Sequence, residues 1–210
     1  MSLTRRRWLA LQAGAALLPM AARPAWAGAQ VEEPLANAVR SALSAAIASD
    51  APPKPVFASL EARLAYARWL DMMSGRLQRI KTERLTRTEF LETVWYESTR
   101  AGLEPALVLG LVQVESGFRK YAISSAGARG YMQVMPFWSR LIGDGDPSRL
   151  FHMQTNLRFG CVILRHYLAI ERGDLFLALG RYNGSRGRAE YPNAVFAARR
   201  RWQPLPPAPA

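Results

Sequence analysis

The chain is short of several residue types on which common kinds of protein depend. Among its 210 residues there is one cysteine, Cys161, so no intramolecular disulfide can form. That thiol falls in the apolar run 159–164, where it reads as a buried, inert side chain. Two histidines, His152 and His166, are too few for a histidine-based metal site, and neither CxxC nor HExxH occurs, so no metal and no cofactor is expected. The N-terminal apolar run, Trp8 to Leu18, is too short to span a bilayer comfortably. Internal repeats are absent. Acidic residues are scarce: 16 Asp and Glu stand against 28 Lys and Arg, and none lies between Phe118 and Asp144.

What is present divides the chain into segments. Arg5, Arg6 and Arg7 precede the apolar run, and Ala25-Trp26-Ala27 fits a small-x-small cleavage site. Residues 1–27 therefore read as a signal peptide, with a mature start near Gly28. Thr4-Arg5-Arg6-Arg7-Trp8-Leu9 favours the twin-arginine route over the general one. Removal takes away four arginines and no acid, lowering the net charge from +12 to +8. A basic exported chain without a membrane span suits a polyanionic envelope and a periplasmic location. Nucleic acid would match the charge alone; no recognition motif supports it, so no nucleic-acid partner is expected.

Residues 28–85 read as a helical extension, with a proline-rich linker near 50–55 and a helix over about 59–79. Thr86-Arg87-Thr88-Glu89 has the spacing of a capping box and opens a helix to about Arg100. Pro105 starts the next helix, whose body from Ala106 to Val114 is apolar nearly all round and so belongs in the core. Residues 118–129 read as loop with a small hairpin. Helices are expected over about 130–142, bent near Pro136, then 148–170, 174–182 and 191–201. Residues 204–210 form a proline-rich tail. Six Trp and seven Tyr provide rings for a core or a sugar cleft. The fold class is mainly α, with at most a minor β element.

Glu115 ends the apolar helix, a costly place for a carboxylate. Burial and the negative end of the helix dipole both penalise the charged form and raise the pKa. A carboxyl that keeps its proton near neutrality can donate it to a leaving oxygen. On position alone a surface glutamate paired with Arg119 or Lys120 is the favoured reading, since perturbed carboxylates occur in structural networks too. The surrounding motifs decide between the two readings. Glu115-Ser116 is followed nine residues after Glu115 by Ser124. Gly130-Tyr131-Met132-Gln133-Val134-Met135-Pro136 comes next, then Asn156-Leu157-Arg158-Phe159-Gly160, then Ala178-Leu179-Gly180-Arg181-Tyr182-Asn183-Gly184. In this order and spacing the chain resembles the bacterial soluble-type (SLT) lytic transglycosylases, over about residues 86–200.

The resemblance implies a lysozyme-like catalytic domain over 86–203 that cleaves the MurNAc–GlcNAc β-1,4 bond of peptidoglycan without water. Glu115 would protonate the glycosidic oxygen, then take a proton from the muramyl C6 hydroxyl as it closes on C1, leaving a 1,6-anhydro end. By the same resemblance Ser124, Gly130, Gln133, Met135, Tyr182 and Asn183 contact or shape the glycan site. Ser124 would lie near the N-acetyl group, Gly130 would let backbone approach ligand, and the Tyr182 hydroxyl would orient the Glu115 carboxyl or the sugar. The usual pair of glycosidase carboxylates reduces to one in this family, consistent with the acid-free loop. Tyr131 stands where leucine is usual and Arg181 where alanine is common; Arg181, Arg186 and Arg188 could meet peptide-stem carboxylates or form a solvated loop. A hydrolytic muramidase or chitinase of the same fold, and a non-catalytic peptidoglycan-binding module of envelope assembly, remain alternatives. Secretion or conjugation machinery is an open partner.

Overall fold

A computed structural model describes residues 30–48 and 55–204. The signal segment, most of the proline-rich linker and the tail beyond Pro204 lie outside these residues. The described chain is mainly α-helical, as expected. Its helices are α1 (Asn37–Ala48), α2 (Leu60–Leu77), α3 (Arg84–Arg100), α4 (Pro105–Ser116), α5 (Pro136–Ile142), α6 (Met153–Ile170), α7 (Leu175–Asn183) and α8 (Glu190–Trp202), with a 3-10 turn over Pro147–Phe151. The β content is two isolated antiparallel bridges, Ile123 to Arg129 and Arg129 to Val134.

Local chemistry sets most of these boundaries. Ser59 caps α2 by accepting from the Ala62 amide, and Asp174 caps α7 through Leu177. Pro105 and Pro136 each occupy a first turn, where a missing N–H costs nothing. The expected cap at Thr86 is displaced. Glu83 reaches the amides of Leu85 and Thr86 with its two carboxylate oxygens, so α3 begins at Arg84 and encloses Thr86. The helix expected from Gly130 is confined to α5. Gly130 and Gln133 have φ of 75° and 49°, and left-handed residues cannot propagate a right-handed helix. The expected helix over 148–170 breaks at His152, whose ψ of 129° is extended.

Helix α4 is the central element. Val108, Leu109, Leu111 and Val112 are fully buried, in keeping with the all-round apolar sequence. Its closest neighbour is α8, and Gly110 makes the approach possible: a Cβ there would sit 2.6 Å from Arg199 N and 2.9 Å from Arg199 Cα. α2 joins the same core through Met73 and Leu77. Phe57, Tyr66, Trp69 and Trp95 extend it, the two tryptophan rings lying 4.7 Å apart.

α1 is held differently. None of its residues is buried; Leu43 and Ile47 rest on the domain surface. The carbonyls at its C-terminal end accept from the domain instead. Arg100 donates to Ala46 O, and Arg158 donates to Ile47 O at 3.2 Å. Both arginines pair with Glu97, which is buried, at 3.3 and 3.0 Å. Burial pushes the Glu97 carboxyl pKa up, and the arginines oppose that shift. No helix among the described residues is long and apolar enough to cross a membrane.

The α4–α8 crossing gives a direct test. Gly110→Ala places a methyl group against Arg199 backbone, which cannot rotate away. We expect a loss of roughly 1–3 kcal/mol in urea unfolding, the usual range for overpacking a tight core.

Candidate active site

Glu115 is the penultimate residue of α4, and the chain around it is pinned on every side. Ser116 Oγ lies 2.8 Å from Tyr131 O and 3.1 Å from Val112 O, tying the helix end to the following turn. Gly117 and Phe118 then adopt φ of 56° and 65° and turn the chain outward. Phe118 is a non-glycine residue in that strained region. It is kept there by burial against Phe90 and Trp202, at 5.9 and 5.2 Å between ring centres.

The segment 122–134 folds back as a small hairpin. Ser124 N donates to Ala128 O at 3.0 Å, and Ser124 Oγ accepts from Ala128 N at 3.1 Å. Arg129 and Val134 exchange backbone bonds of 2.9 and 3.0 Å. The Gln133 amide donates to Ala122 O and Gly130 O at 3.1 and 2.9 Å, closing the turn from inside. Asn156, reaching in from α6, completes it. Its Nδ2 donates to Arg129 O and Leu150 O, and its Oδ1 accepts from Met132 N, all at 2.8 Å. At Gly160, one turn along the same face, a Cβ would meet Met132 Sδ at 2.3 Å. The Asn-Leu-x-x-Gly motif thus has a physical meaning: the asparagine satisfies the turn's backbone and the glycine admits its methionine.

The Glu115 carboxyl is nearly enclosed, with the residue only 9% exposed. Oε1 accepts from the Tyr191 hydroxyl, and Oε2 is buried without a partner. Desolvation pushes its pKa up to about 8, and the Tyr191 bond pulls part of the way back. Tyr191 is fully buried; burial first, and Glu115 second, hold its own pKa well above the ordinary phenol value. The result is a carboxyl that holds its proton at neutral pH, with one oxygen anchored and the other buried without a partner.

The residues singled out from sequence lie as follows. Gln133 is buried in the turn, its Nε2 committed to the loop and its Oε1 without a hydrogen-bond partner among the described residues. Ser124 and Met135 are half-buried at the ends of the hairpin segment. Gly130, expected to let backbone approach ligand, makes its close approach to Asn156 and Leu150: a Cβ would lie 2.4 Å from Asn156 Nδ2. Asn183 is buried at the end of α7. Tyr182 is buried near Glu115, whose charge raises its pKa after burial does. Its hydroxyl differs from expectation: it donates to Met132 O at 2.8 Å. The hydroxyl on the Glu115 carboxyl belongs to Tyr191. Sequence reasoning missed Tyr191 because it lies 76 residues away in the last helix, where one tyrosine among apolar and basic residues carries no local signal.

Arg181 and Arg186 are also accounted for. Both pair with Glu171, Arg186 at 2.7 and 2.9 Å through two nitrogens, and Arg181 also reaches Glu33 at 2.9 Å. They form an ion-pair network across α7. Their guanidinium groups hold the Glu171 carboxyl down at about 2. No group of three or more His, Cys, Asp or Glu able to hold a metal occurs among the described residues.

Comparison with known proteins places this geometry in context. A family model described as the transglycosylase SLT domain matches residues 92–202. The chain is 38% identical over 94 residues to membrane-bound lytic murein transglycosylase C of Actinobacillus pleuropneumoniae serotype 5b (strain L20), covering 41% of this chain and 25% of that protein. It is 32% identical over 119 residues to the transglycosylase of Enterobacteria phage PRD1, covering 57% of this chain and 39% of that protein. A solved structure of lytic transglycosylase Slt from Pseudomonas aeruginosa aligns over 67% of this chain and 27% of its own, at 23% identity and a TM-score of 0.43. The chain therefore spans between a quarter and two fifths of the length of these curated relatives.

Two measurements test the electrostatics. A carbon-detected titration of the Glu115 carboxyl should give a midpoint near 8, and Tyr191→Phe should raise it, because the lost hydroxyl stabilised the charged form. The second concerns stability. With the folded pKa raised above the ordinary 4.5, stability from the neutral carboxyl is complete below that value and is lost as pH rises through about 8. The Tm of Glu115→Gln should therefore gain on that of the parent protein across this window; a constant difference would contradict the raised pKa.

Proposed function

The chain belongs to the transglycosylase SLT domain family, and from that premise we propose that it is a peptidoglycan lytic transglycosylase with Glu115 as its single acid and base. The observation that carries the reading is the Glu115 carboxyl itself, buried, protonated near neutrality, anchored through Oε1 and unpartnered at Oε2.

The chemistry follows from that arrangement. Oε2 donates its proton to the glycosidic oxygen as the bond to the muramyl C1 breaks, and the leaving sugar departs as a neutral alcohol. The carboxylate so formed is stabilised by the Tyr191 hydroxyl. It then takes the proton of the C6 hydroxyl as that oxygen bonds to C1. The proton count closes with no water consumed, and the product carries a 1,6-anhydro ring. Tyr191 acts on the carboxyl. The proposed contacts to the glycan are Ser124, Gln133 through Oε1, Met135 and the backbone at Gly130. Tyr182 and Asn183 hold the wall formed by Met132 and α7. A periplasmic location is part of this reading and is supported by the signal-like basic and apolar N-terminal sequence; relatives described as membrane-bound lytic murein transglycosylases support an envelope location.

The test is product analysis of the mature protein on purified sacculi. Anhydromuramyl ends should dominate the mass spectrum; reducing muramic acid ends would assign the chain to hydrolysis instead. Glu115→Gln should lower the rate by roughly 10²–10⁴-fold, the range for a lost general acid–base. An unchanged rate would remove Glu115 from the mechanism. Activity should fall as pH rises past about 8, where Glu115 gives up the proton it must donate.

A further inference from the structure

The segment before α1 runs across the catalytic helices, outside residues 92–202 matched by the family model. Gln30 is only 7% exposed. Its side-chain oxygen accepts from Trp138 Nε1 at 3.0 Å, and its amide nitrogen donates to the backbone carbonyl of Tyr182. Two ion pairs repeat the connection: Glu32 with Arg140 at 3.8 Å, and Glu33 with Arg181 at 2.9 Å. Trp138 and Arg140 lie on α5; Arg181 and Tyr182 lie on α7. These two helices make little direct contact with each other. Residues 30–33 therefore join them, and the clamp of Arg100 and Arg158 on α1 anchors the far end of the same segment.

What is joined matters for the site. α5 begins where the Gln133 turn ends, and α7 carries Tyr182. The Tyr182 hydroxyl donates to Met132 O, and Met132 N is held by Asn156. Hydrogen bonds linked through the covalent frame of Tyr182 and of residues 131–132 thus connect Gln30 to the turn whose Tyr131 carbonyl meets Ser116, next to Glu115. The Gln30 amide is suited to this bridge because it supplies one acceptor and one donor on the same planar group. Both of its partners are shielded from water, so losing the amide strands two buried polar groups.

We propose that residues 30–33 are a strap that sets α7 against α5, and that Gln30 is a positioning residue for the reaction, acting through Tyr182 and the Met132–Gln133 turn. This rests on the transglycosylase reading of Glu115. The domain matched by the family model is, in this chain, completed by a segment outside it. The two exposed ion pairs contribute little, since such pairs are worth about 0–1 kcal/mol; the buried amide does most of the positioning.

The test compares the mature parent chain with Gln30→Leu, and with Val56→Ala as a control at an exposed position outside the strap. Turnover of soluble glycan strands and amide hydrogen exchange are measured on each. Gln30→Leu should lower kcat by roughly 10-fold to 100-fold, the scale of an ångström-sized misplacement, with KM changed less than twofold. Exchange at Met132 and Gln133 should speed up at temperatures well below Tm. The control should match the parent in both. A kcat within twofold of the parent, or faster exchange confined to residues 30–36, would overturn the strap. Hydrogen exchange needs no substrate, so the two readings fail separately. If the parent cleaves no glycan while Gln30→Leu still loosens Met132 and Gln133, the strap stands as architecture and the transglycosylase reading falls.

Discussion

Keeping one carboxyl out of water shapes much of this molecule. Glu115 stands at the end of a helix that is apolar on all sides, and enclosing it requires neighbours at close range in every direction. The glycine at the α4–α8 crossing lets the last helix come near enough to bring Tyr191 to the carboxyl. The left-handed pair Gly117–Phe118 turns the chain away at once, so the helix end is not left in solvent. The cost of desolvation is not fully offset, because only one carboxyl oxygen is partnered. That residual imbalance is what holds the proton at neutral pH.

The turn beside Glu115 is rigid for a different reason. It contains backbone conformations that residues such as Gln133 adopt rarely, and such conformations persist only when the surroundings over-determine them. Here the surroundings are Asn156, which satisfies three backbone groups, and the Gln133 amide, which satisfies two more. Polar side chains that look like ligand contacts in sequence are thus partly committed to building the loop. The same holds for Arg181 and Arg186, which pair with Glu171.

The N-terminal region is not an appendage to this site. α2 contributes Met73 and Leu77 to the main core, α1 is capped by arginines of α3 and α6, and the residues before α1 bridge α5 and α7. Each contact is made by a different kind of force: apolar burial for α2, charge-assisted capping for α1, and a single buried amide for the strap. α1, with no buried residue, owes its place to the capping interactions more than to its own hydrophobicity.

Much was legible in the sequence because it depends on neighbours along the chain. Apolar periodicity and the proline at Pro105 announced helices, while Pro136, expected as a bend within a helix, opens one instead; the ordered motifs after Glu115 announced the family. Even there, Glu83 took the cap assigned to Thr86, since two carboxylate oxygens reach two amides where a hydroxyl reaches one. The tertiary structure alone decided which tyrosine meets the carboxyl, because Tyr182 and Tyr191 differ in reach and direction only once α7 and α8 are packed. It alone revealed that Gly130 faces Asn156, that Gly110 is a helix crossing, and that Gln30 touches Tyr182. These are contacts between residues tens of positions apart, selected by shape and by the need to satisfy buried polar groups. A linear pattern records neither. Glu115 could be singled out as a candidate from the sequence; the rise in its pKa follows only from how completely the fold encloses it.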